Sequence, residues 1–193
     1  MRLRSFSTLG FAGAAALVLL AVAAPGAADA STVVIGGQAE ACSVAAKAGR
    51  YDAPSLEACT QAITGEPLHG HELAATYVNR GTMYIAALNY LQAMRDMNDA
   101  LAIEPNLAEA FVNRGGAMIG LRRYREAVDE INKGLALNPS EPEKAYGNRA
   151  LAKWSLDDLK GAYQDFLKAQ ELKPDWTWVA EQLTAFKVTP VAK

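Results

Sequence analysis

The feature that most constrains this chain is a short pattern that occurs three times at nearly equal intervals. The sequence YVNRG begins at Tyr77, FVNRG begins at Phe111, and YGNRA begins at Tyr146. The intervals, from 77 to 111 and from 111 to 146, are 34 and 35 residues long. A unit of this length buries its apolar face only by stacking on a neighbour. The repeat therefore predicts a solenoid in which each unit contacts the next.

Hydrophobic spacing within the units predicts that they are helical. Apolar residues recur at intervals near three and four in the second half of the first unit, as Leu91, Met94, Met97 and Leu101. The second unit repeats the spacing with Tyr124, Ala127, Val128, Ile131 and Leu135. Such intervals place the apolar side chains on one face of an α-helix. The extra residue of the second interval falls in segment 139–142, a turn with two prolines where an insertion costs little.

The three units resemble the tetratricopeptide repeat. When the recurring aromatic residue is numbered 4, positions 8, 20 and 27 are small, position 24 is large and apolar, and position 32 is proline, which ends a helix because it has no amide donor. These residues are Tyr77, Gly81, Ala93, Met97, Ala100 and Pro105, then Phe111, Gly115, Ala127, Ile131, Gly134 and Pro139, then Tyr146, Ala150, Ala162, Phe166, Ala169 and Pro174. The resemblance implies an all-α, right-handed α-solenoid, with three helix-turn-helix repeats over residues 71–176.

Both ends of the repeat array are expected to carry caps, because terminal repeats lack a neighbour. Residues 31–70 are interpreted as a degenerate repeat with helices near 37–48 and 54–64. Residues 177–193 follow as a C-terminal capping helix, near 176–187, and a tail. Asp175 is the candidate for the residue that caps that helix.

The N-terminus has the pattern of a secretory signal peptide. Arg2 and Arg4 precede an apolar stretch over residues 10–24, and small residues at Ala28 and Ala30 form a cleavage pattern. We therefore expect residues 1–30 to be removed after Ala30 and the protein to be periplasmic or secreted. An uncleaved membrane anchor is the alternative, although the stretch is short for a span. No second apolar run is long enough to cross a membrane.

Two cysteines, Cys42 and Cys59, favour one disulfide bond. An exported chain with an even and minimal number of cysteines is typically oxidised, and two buried free thiols are the alternative. The resemblance adds a location. If Cys59 occupies repeat position 24, Cys42 occupies position 7, and these positions face each other within a tetratricopeptide hairpin. The disulfide would then brace the N-terminal cap.

The most regular polar feature pairs an arginine with an acid 16 residues later in every unit. The pairs are Arg80 with Asp96, Arg114 with Glu130, and Arg149 with Asp165. Positions 7 and 23 lie on the two helices of one hairpin in the resembling family. We interpret the pairs as structural ion pairs that set helix register. An anion-binding site would require the arginines to be unpaired.

In the resembling family, one row of first-helix residues lines a concave face that binds partners. The resemblance assigns this groove to Val78, Thr82, Ile85, Val112, Asn113, Gly116, Ile119, Leu151 and Trp154. Asn113 matches one residue of the family's clamp for a partner's terminal carboxylate. Val78 and Thr82 stand where that clamp needs Lys and Asn, which argues against carboxylate binding.

An apolar groove therefore remains, with Ile119 and Trp154 as the expected anchors. Its partner is expected to be a protein or peptide that binds as an apolar strand or helix. The alternatives are that the chain fills the groove with its own segment 186–191 or with a second copy. In that case the protein would be a self-associating structural subunit of a cell-envelope complex.

Charge and residue content argue against other classes of function. The net charge is −2, and removal of residues 1–30 would make it −3, so no basic patch for nucleic acid is predicted. His69 and His71 are the only histidines. No nucleophile and base are arranged for acyl transfer, and the cysteines lack the short spacing of metal ligands. We expect no enzyme activity, no metal and no cofactor.

Overall fold

The computed structural model describes residues 2–5 and 37–189 of the chain. Most of the predicted signal peptide, including the cleavage point after Ala30, lies outside these residues, so its removal stays a prediction. The exception is a short strand, β1 (Arg2–Ser5), which pairs antiparallel with β2 (Phe186–Thr189). Arg2 lies opposite Thr189 and Ser5 lies opposite Phe186.

The remaining regular structure of the described residues consists of nine α-helices. They are α1 (Gln38–Lys47), α2 (Ala53–Gly65), α3 (Gly70–Ala86), α4 (Tyr90–Ile103), α5 (Ala108–Gly120), α6 (Tyr124–Ala136), α7 (Pro142–Ser155), α8 (Leu159–Leu172) and α9 (Thr177–Thr184). The helices pack in consecutive pairs from α1–α2 to α7–α8. The first helix of each pair, here called the A helix, also packs against the next A helix. The predicted α-solenoid is confirmed.

Small residues at position 8 let the two helices of each hairpin approach closely. A methyl group added at Gly81 would lie 2.3 Å from Cε of Met97, and one at Gly115 would lie 2.5 Å from Cγ1 of Ile131. Ala150 takes this position in the third repeat, within the core that surrounds Phe166. Glycine or alanine is needed here because a close-packed interior has no room for a larger side chain.

Contacts between repeats follow an equally regular rule. Branched residues at positions 5 and 12 of one A helix share a core cluster with alanines at positions 3 and 10 of the next A helix. These sets are Val78 with Ala110, Ile85 with Ala117, Val112 with Ala145, and Ile119 with Ala152. Alanine allows the axes to approach to the usual spacing of about 8–10 Å, so each repeat buries part of its neighbour.

The N-terminal cap is a two-helix unit, as the sequence predicts. Cys42 and Cys59 form a disulfide with a Cα–Cα distance of 4.7 Å, and both are fully buried. This bond joins α1 to α2 and packs with Met83 of α3. The prediction of a disulfide-braced cap is confirmed. Asp52 starts α2, since its carboxylate accepts a 2.9 Å hydrogen bond from the Ser55 amide, and this bonding lowers the pKa of Asp52.

The C-terminal capping helix exists, but its predicted extent and cap are wrong. Helix α9 ends at Thr184, short of residue 187, and no side chain caps its first turn. The chain then becomes extended in β2. Val188 and Thr189 favour extended backbone because they are β-branched, and Thr189 also precedes a proline, which disfavours helix.

The turn inside each repeat hairpin places one residue in the left-handed region. Leu88 and Arg122 have φ of 60°, and Asp157 has φ of 64°. All three occupy repeat position 15. Glycine, asparagine and aspartate adopt this conformation most readily. Leu88 and Arg122 are therefore unusual residues for a turn conformation that recurs in all three repeats.

Candidate functional site

The three arginine–acid pairs predicted from sequence all form, each between the A helix and the second helix of its own hairpin. Arg80 donates from Nε to Asp96 at 2.9 Å, and Arg149 donates from Nε to Asp165 at 2.8 Å, both with a second bond from Nη2. Arg114 donates from Nε to Glu130 at 2.7 Å. The acids are buried, so each pair fixes the register of its hairpin.

The remaining nitrogen of each arginine reaches back to the preceding repeat, which the sequence did not predict. Nη1 of Arg80 donates to Thr60 at 3.2 Å, and Nη1 of Arg114 donates to Asn98 at 2.8 Å. Nη1 of Arg149 donates to Asn132 at 2.6 Å. All three acceptors occupy repeat position 25, if Cys59 is position 24. Each arginine therefore joins three helices. The polar residue that recurs at position 25 is the sequence feature from which this contact could have been predicted.

The surroundings of the arginines leave them little capacity to bind an external anion. Each guanidinium also lies over the position-4 aromatic ring, from 5.2 Å at Tyr146 to 5.6 Å at Tyr77. Burial raises the pKa of the Asp96 carboxyl, although the hydrogen bonds from Arg80 act in the opposite direction. Such pairs specify register more than they add stability.

Most residues assigned to the groove are buried, so the assignment of an exposed lining is wrong for them. Those buried are Val78, Thr82, Ile85, Val112, Asn113, Gly116 and Ile119. The branched residues among them lie in the clusters that join consecutive A helices. Stacking of neighbouring repeats uses these side chains for the core. Leu151 and Trp154, in the last repeat, keep partial exposure.

Buried asparagines form a second polar row along the A helices. The Asn113 amide donates to the Thr82 hydroxyl of the preceding A helix at 3.1 Å, and Thr82 donates to the Val78 carbonyl at 2.8 Å. Asn113 thus holds two repeats together. The equivalent Asn79 is also buried, and its Oδ1 has no hydrogen-bond partner among the described residues.

The two partly exposed groove residues lie beside an aromatic cluster at the C-terminal end. The Trp154 ring is 4.9 Å from the Phe186 ring and 6.1 Å from the Phe166 ring. Phe186 is buried and also lies 5.6 Å from Tyr163. The first residue of the segment 186–191 therefore covers one side of Trp154. This arrangement combines a core contact with a partly open surface at Leu151 and Trp154.

The histidines and acids do not form a metal-binding group within the described part of the chain. His71 Nδ1 lies 2.8 Å from Glu104 Oε2, at the surface where the start of α3 meets the end of α4. No group of three or more metal-ligating side chains comes together among residues 37–186. None of the described helices has the length and hydrophobicity needed to span a bilayer.

The hairpin register and the stacked A helices give the chain a helical-repeat fold similar to that of tetratricopeptide proteins. The sequence profile of the tetratricopeptide repeat matches residues 143–175, the third repeat. No protein of curated function gives a significant sequence match.

Solved structures show the same architecture. The first tetratricopeptide domain of human RPAP3 is 25% identical, covers 60% of this chain and 90% of that domain, and has a TM-score of 0.56. The first such domain of Spaghetti (RPAP3), solved with an HSP90 peptide, is 24% identical with coverages of 60% and 93% and a TM-score of 0.56. MamA from Desulfovibrio magneticus is 18% identical with coverages of 77% and 82% and a TM-score of 0.58. The chain therefore shares the fold of these tetratricopeptide domains.

Proposed function

We propose that this protein is exported and binds an apolar peptide or helix of a partner protein along its A-helix face. The observation that carries the proposal is the partly exposed apolar pair Leu151 and Trp154 at the end of that face. The nearby arginine is already engaged within the protein, because Arg149 forms an ion pair with Asp165 and a hydrogen bond with Asn132. A partner would find apolar contact here rather than a fixed charge.

Structurally similar domains that were solved with bound peptides support the proposal of a peptide-binding surface. Spaghetti (RPAP3) was solved with an HSP90 peptide, and the second tetratricopeptide domain of human RPAP3 was solved with an HSP70 peptide. The present chain lacks the lysine and second asparagine of a carboxylate clamp, since Val78 and Thr82 occupy those places. Its partner is therefore expected to be held by apolar side chains rather than by a terminal carboxylate.

Site-specific photocrosslinking in living cells tests the proposed surface. A photoreactive phenylalanine analogue at Leu151 should give a crosslinked product with another protein, whose identity mass spectrometry then provides. The same analogue at Leu172, which is 41% exposed on α8, is the matched control and should give none. Equal products at both positions, or none at Leu151, would contradict the proposed surface.

A self-associating envelope subunit is the competing function, and the same experiment distinguishes it. A product at Leu151 that contains only a second copy of the chain would support self-association in place of a partner peptide. Light scattering of the purified protein would then show a mass that rises with concentration.

Export is tested separately by the N-terminus of the protein recovered from cells. Intact-mass measurement should give a chain that begins at Ser31, in the fraction outside the cytoplasm. A chain that keeps residues 1–30 would contradict the proposed cleavage but would leave the binding surface untouched.

A further inference from the structure

The turns inside the first two repeat hairpins carry an unusual set of exposed side chains. Leu88 and Leu91 are 60% and 62% exposed, more than any other large apolar side chain among the described residues. A single exposed leucine on a protein surface is ordinary. These two lie three residues apart at the same turn, so they form a joint apolar projection.

The fold itself does not require leucine at this turn. Leu88 and Asp157 occupy the same repeat position with nearly the same φ, 60° and 64°. Aspartate tolerates this backbone conformation, whereas a leucine is strained in it. A residue that is both strained and exposed to water points to a use outside the fold.

The neighbouring turn adds positive charge to the same edge. Arg122 and Arg125 hold the positions that Leu88 and Leu91 hold one repeat earlier, about 10 Å away at ordinary helix spacing. Both arginines are exposed, and the ion pair at this turn is made by Arg123, which bonds to Glu126. Arg95, one turn beyond Leu91, is also exposed and bonds only to the neutral Gln92. The exposed acids beside Arg122 and Arg125 are Asp129 and Glu126. Arg122, Arg123 and Arg125 outnumber these two acids, so the local charge at their turn is positive although the net charge of the chain is −2.

The shape of this leucine–arginine edge (Leu88, Leu91, Arg95, Arg122 and Arg125) decides what it can contact. A peptide or small ligand is usually held in a concave site, but Leu88 and Arg122 lie in the turns at the ends of the hairpins, and the other three residues lie in the first two turns of the helices that follow. A flat anionic surface with an apolar interior fits a projection better. We propose that the leucine–arginine edge binds peripherally to the surface of an anionic membrane.

In this arrangement each residue type has a distinct role. Leu88 and Leu91 enter the boundary between headgroups and acyl chains, as apolar side chains of interfacial segments do. Arg95, Arg122 and Arg125 lie against the lipid phosphates, and each contributes to the attraction. The leucine–arginine edge does not include Leu151 or Trp154, so a protein bound to a membrane through this edge could still bind a partner at those two residues.

Cosedimentation with lipid vesicles tests the proposal on the protein recovered from cells. The wild type should bind vesicles of equal parts phosphatidylglycerol and phosphatidylcholine at low salt, and bind phosphatidylcholine vesicles far less. The double variant R122N/R125Q should bind the mixed vesicles about twentyfold less tightly, from about fivefold for each arginine. L88N/L91Q should bind about tenfold less tightly, because the inserted apolar area is lost. Asparagine suits the left-handed turn, so both variants should fold.

The matched control is K168Q/K173Q, which removes two exposed or half-exposed positive charges from the C-terminal half of α8 and the residue after it, away from the hairpin turns. Its affinity for the mixed vesicles should stay within about twofold of the wild type, since screening limits the reach of distant surface charges. An equal loss in the control and in R122N/R125Q would overturn the proposal in favour of a general net-charge effect. Unchanged binding by L88N/L91Q, or equal binding of both vesicle types by the wild type, would also overturn it.

A polyglutamate peptide separates a membrane from an acidic protein as the partner. If the wild type bound this peptide through Arg122 and Arg125 but ignored the mixed vesicles, the edge would be a protein-binding surface and the membrane proposal would fail.

Discussion

The two ends of the solenoid solve the same problem by different means. Each terminal unit lacks a neighbour on one side, which leaves its hairpin less supported. At the N-terminal end, alanines and a fully buried disulfide between Cys42 and Cys59 form the core beside Met83. At the C-terminal end, Phe166, Trp154 and Phe186 pack together under α9. A unit with little apolar volume depends on a covalent bond, whereas a unit rich in aromatic rings depends on packing.

The largest expected effect is at the centre of the C-terminal cluster. Phe166→Ala should lower the free energy of unfolding by about 3–5 kcal/mol, because it removes a fully buried ring and leaves a cavity. Urea denaturation measures this loss. The control is Leu167→Ala, where the adjacent side chain is 44% exposed and the change should stay within about 0.5 kcal/mol. Similar losses in the two variants would show that this end does not depend on packing of Phe166.

The next effect removes the covalent bond at the other end. The variant C42A/C59A should lose about 3 kcal/mol of stability, since the disulfide limits the freedom of the unfolded chain. Thermal unfolding followed by circular dichroism measures the shift. Reductant should lower the melting temperature of the wild type and leave that of C42A/C59A unchanged. A wild type that is insensitive to reductant even when partly unfolded would contradict the role of the disulfide.

A smaller effect tests whether the C-terminal segment belongs to the cluster. Trp154→Ala should cost about 2 kcal/mol, less than Phe166→Ala because Trp154 keeps partial exposure. The contact with Phe186 should appear as a coupling energy of about 1 kcal/mol in a double-mutant cycle of W154A and F186A. Strictly additive losses in urea denaturation would show that Phe186 does not close this end in solution.

The smallest effect concerns the polar contact between the cap and the first repeat. Thr60→Val should cost about 1 kcal/mol, because Arg80 loses its hydrogen bond to the Thr60 hydroxyl. Thr64→Val, at an exposed position one turn later, is the control and should change stability by less. Guanidinium denaturation of both variants checks this, and equal values would argue that the arginine does not join the cap to the repeats.

Sequence periodicity was sufficient to predict the hairpins and the arginine–acid pairs. Arg114 and Glu130 recur with the fold, so their partnership follows from the position of each in its unit. The second bond of Arg114, to Asn98 of the preceding repeat, depends on how hairpins stack. The spacing of residues within one unit carries little information about how one hairpin is oriented on the next, so the contact between Arg114 and Asn98 was not predicted.

The exposure of the predicted groove residues also could not be predicted from spacing within one unit. Val112 and Ile119 lie on the expected side of an A helix, but the next A helix comes close enough to bury them. The sequence does contain the cause, because alanine at positions 145 and 152 permits the close approach. Turning that into burial requires the distance between helices, which is a property of the assembled solenoid.

The sequence by itself determined the repeat, the helix pairs and the cysteine pairing, because each depends on spacing within one unit or on residue type. Tertiary structure decided which apolar residues remained accessible, how α9 ended, and that Phe186 returned to Trp154. These outcomes depend on contacts between units and at the chain ends, where residues far apart in sequence compete for the same space. The C-terminal end and the contacts between repeats therefore had to be seen in three dimensions, whereas the hairpins and the disulfide of the N-terminal cap could be read from the sequence.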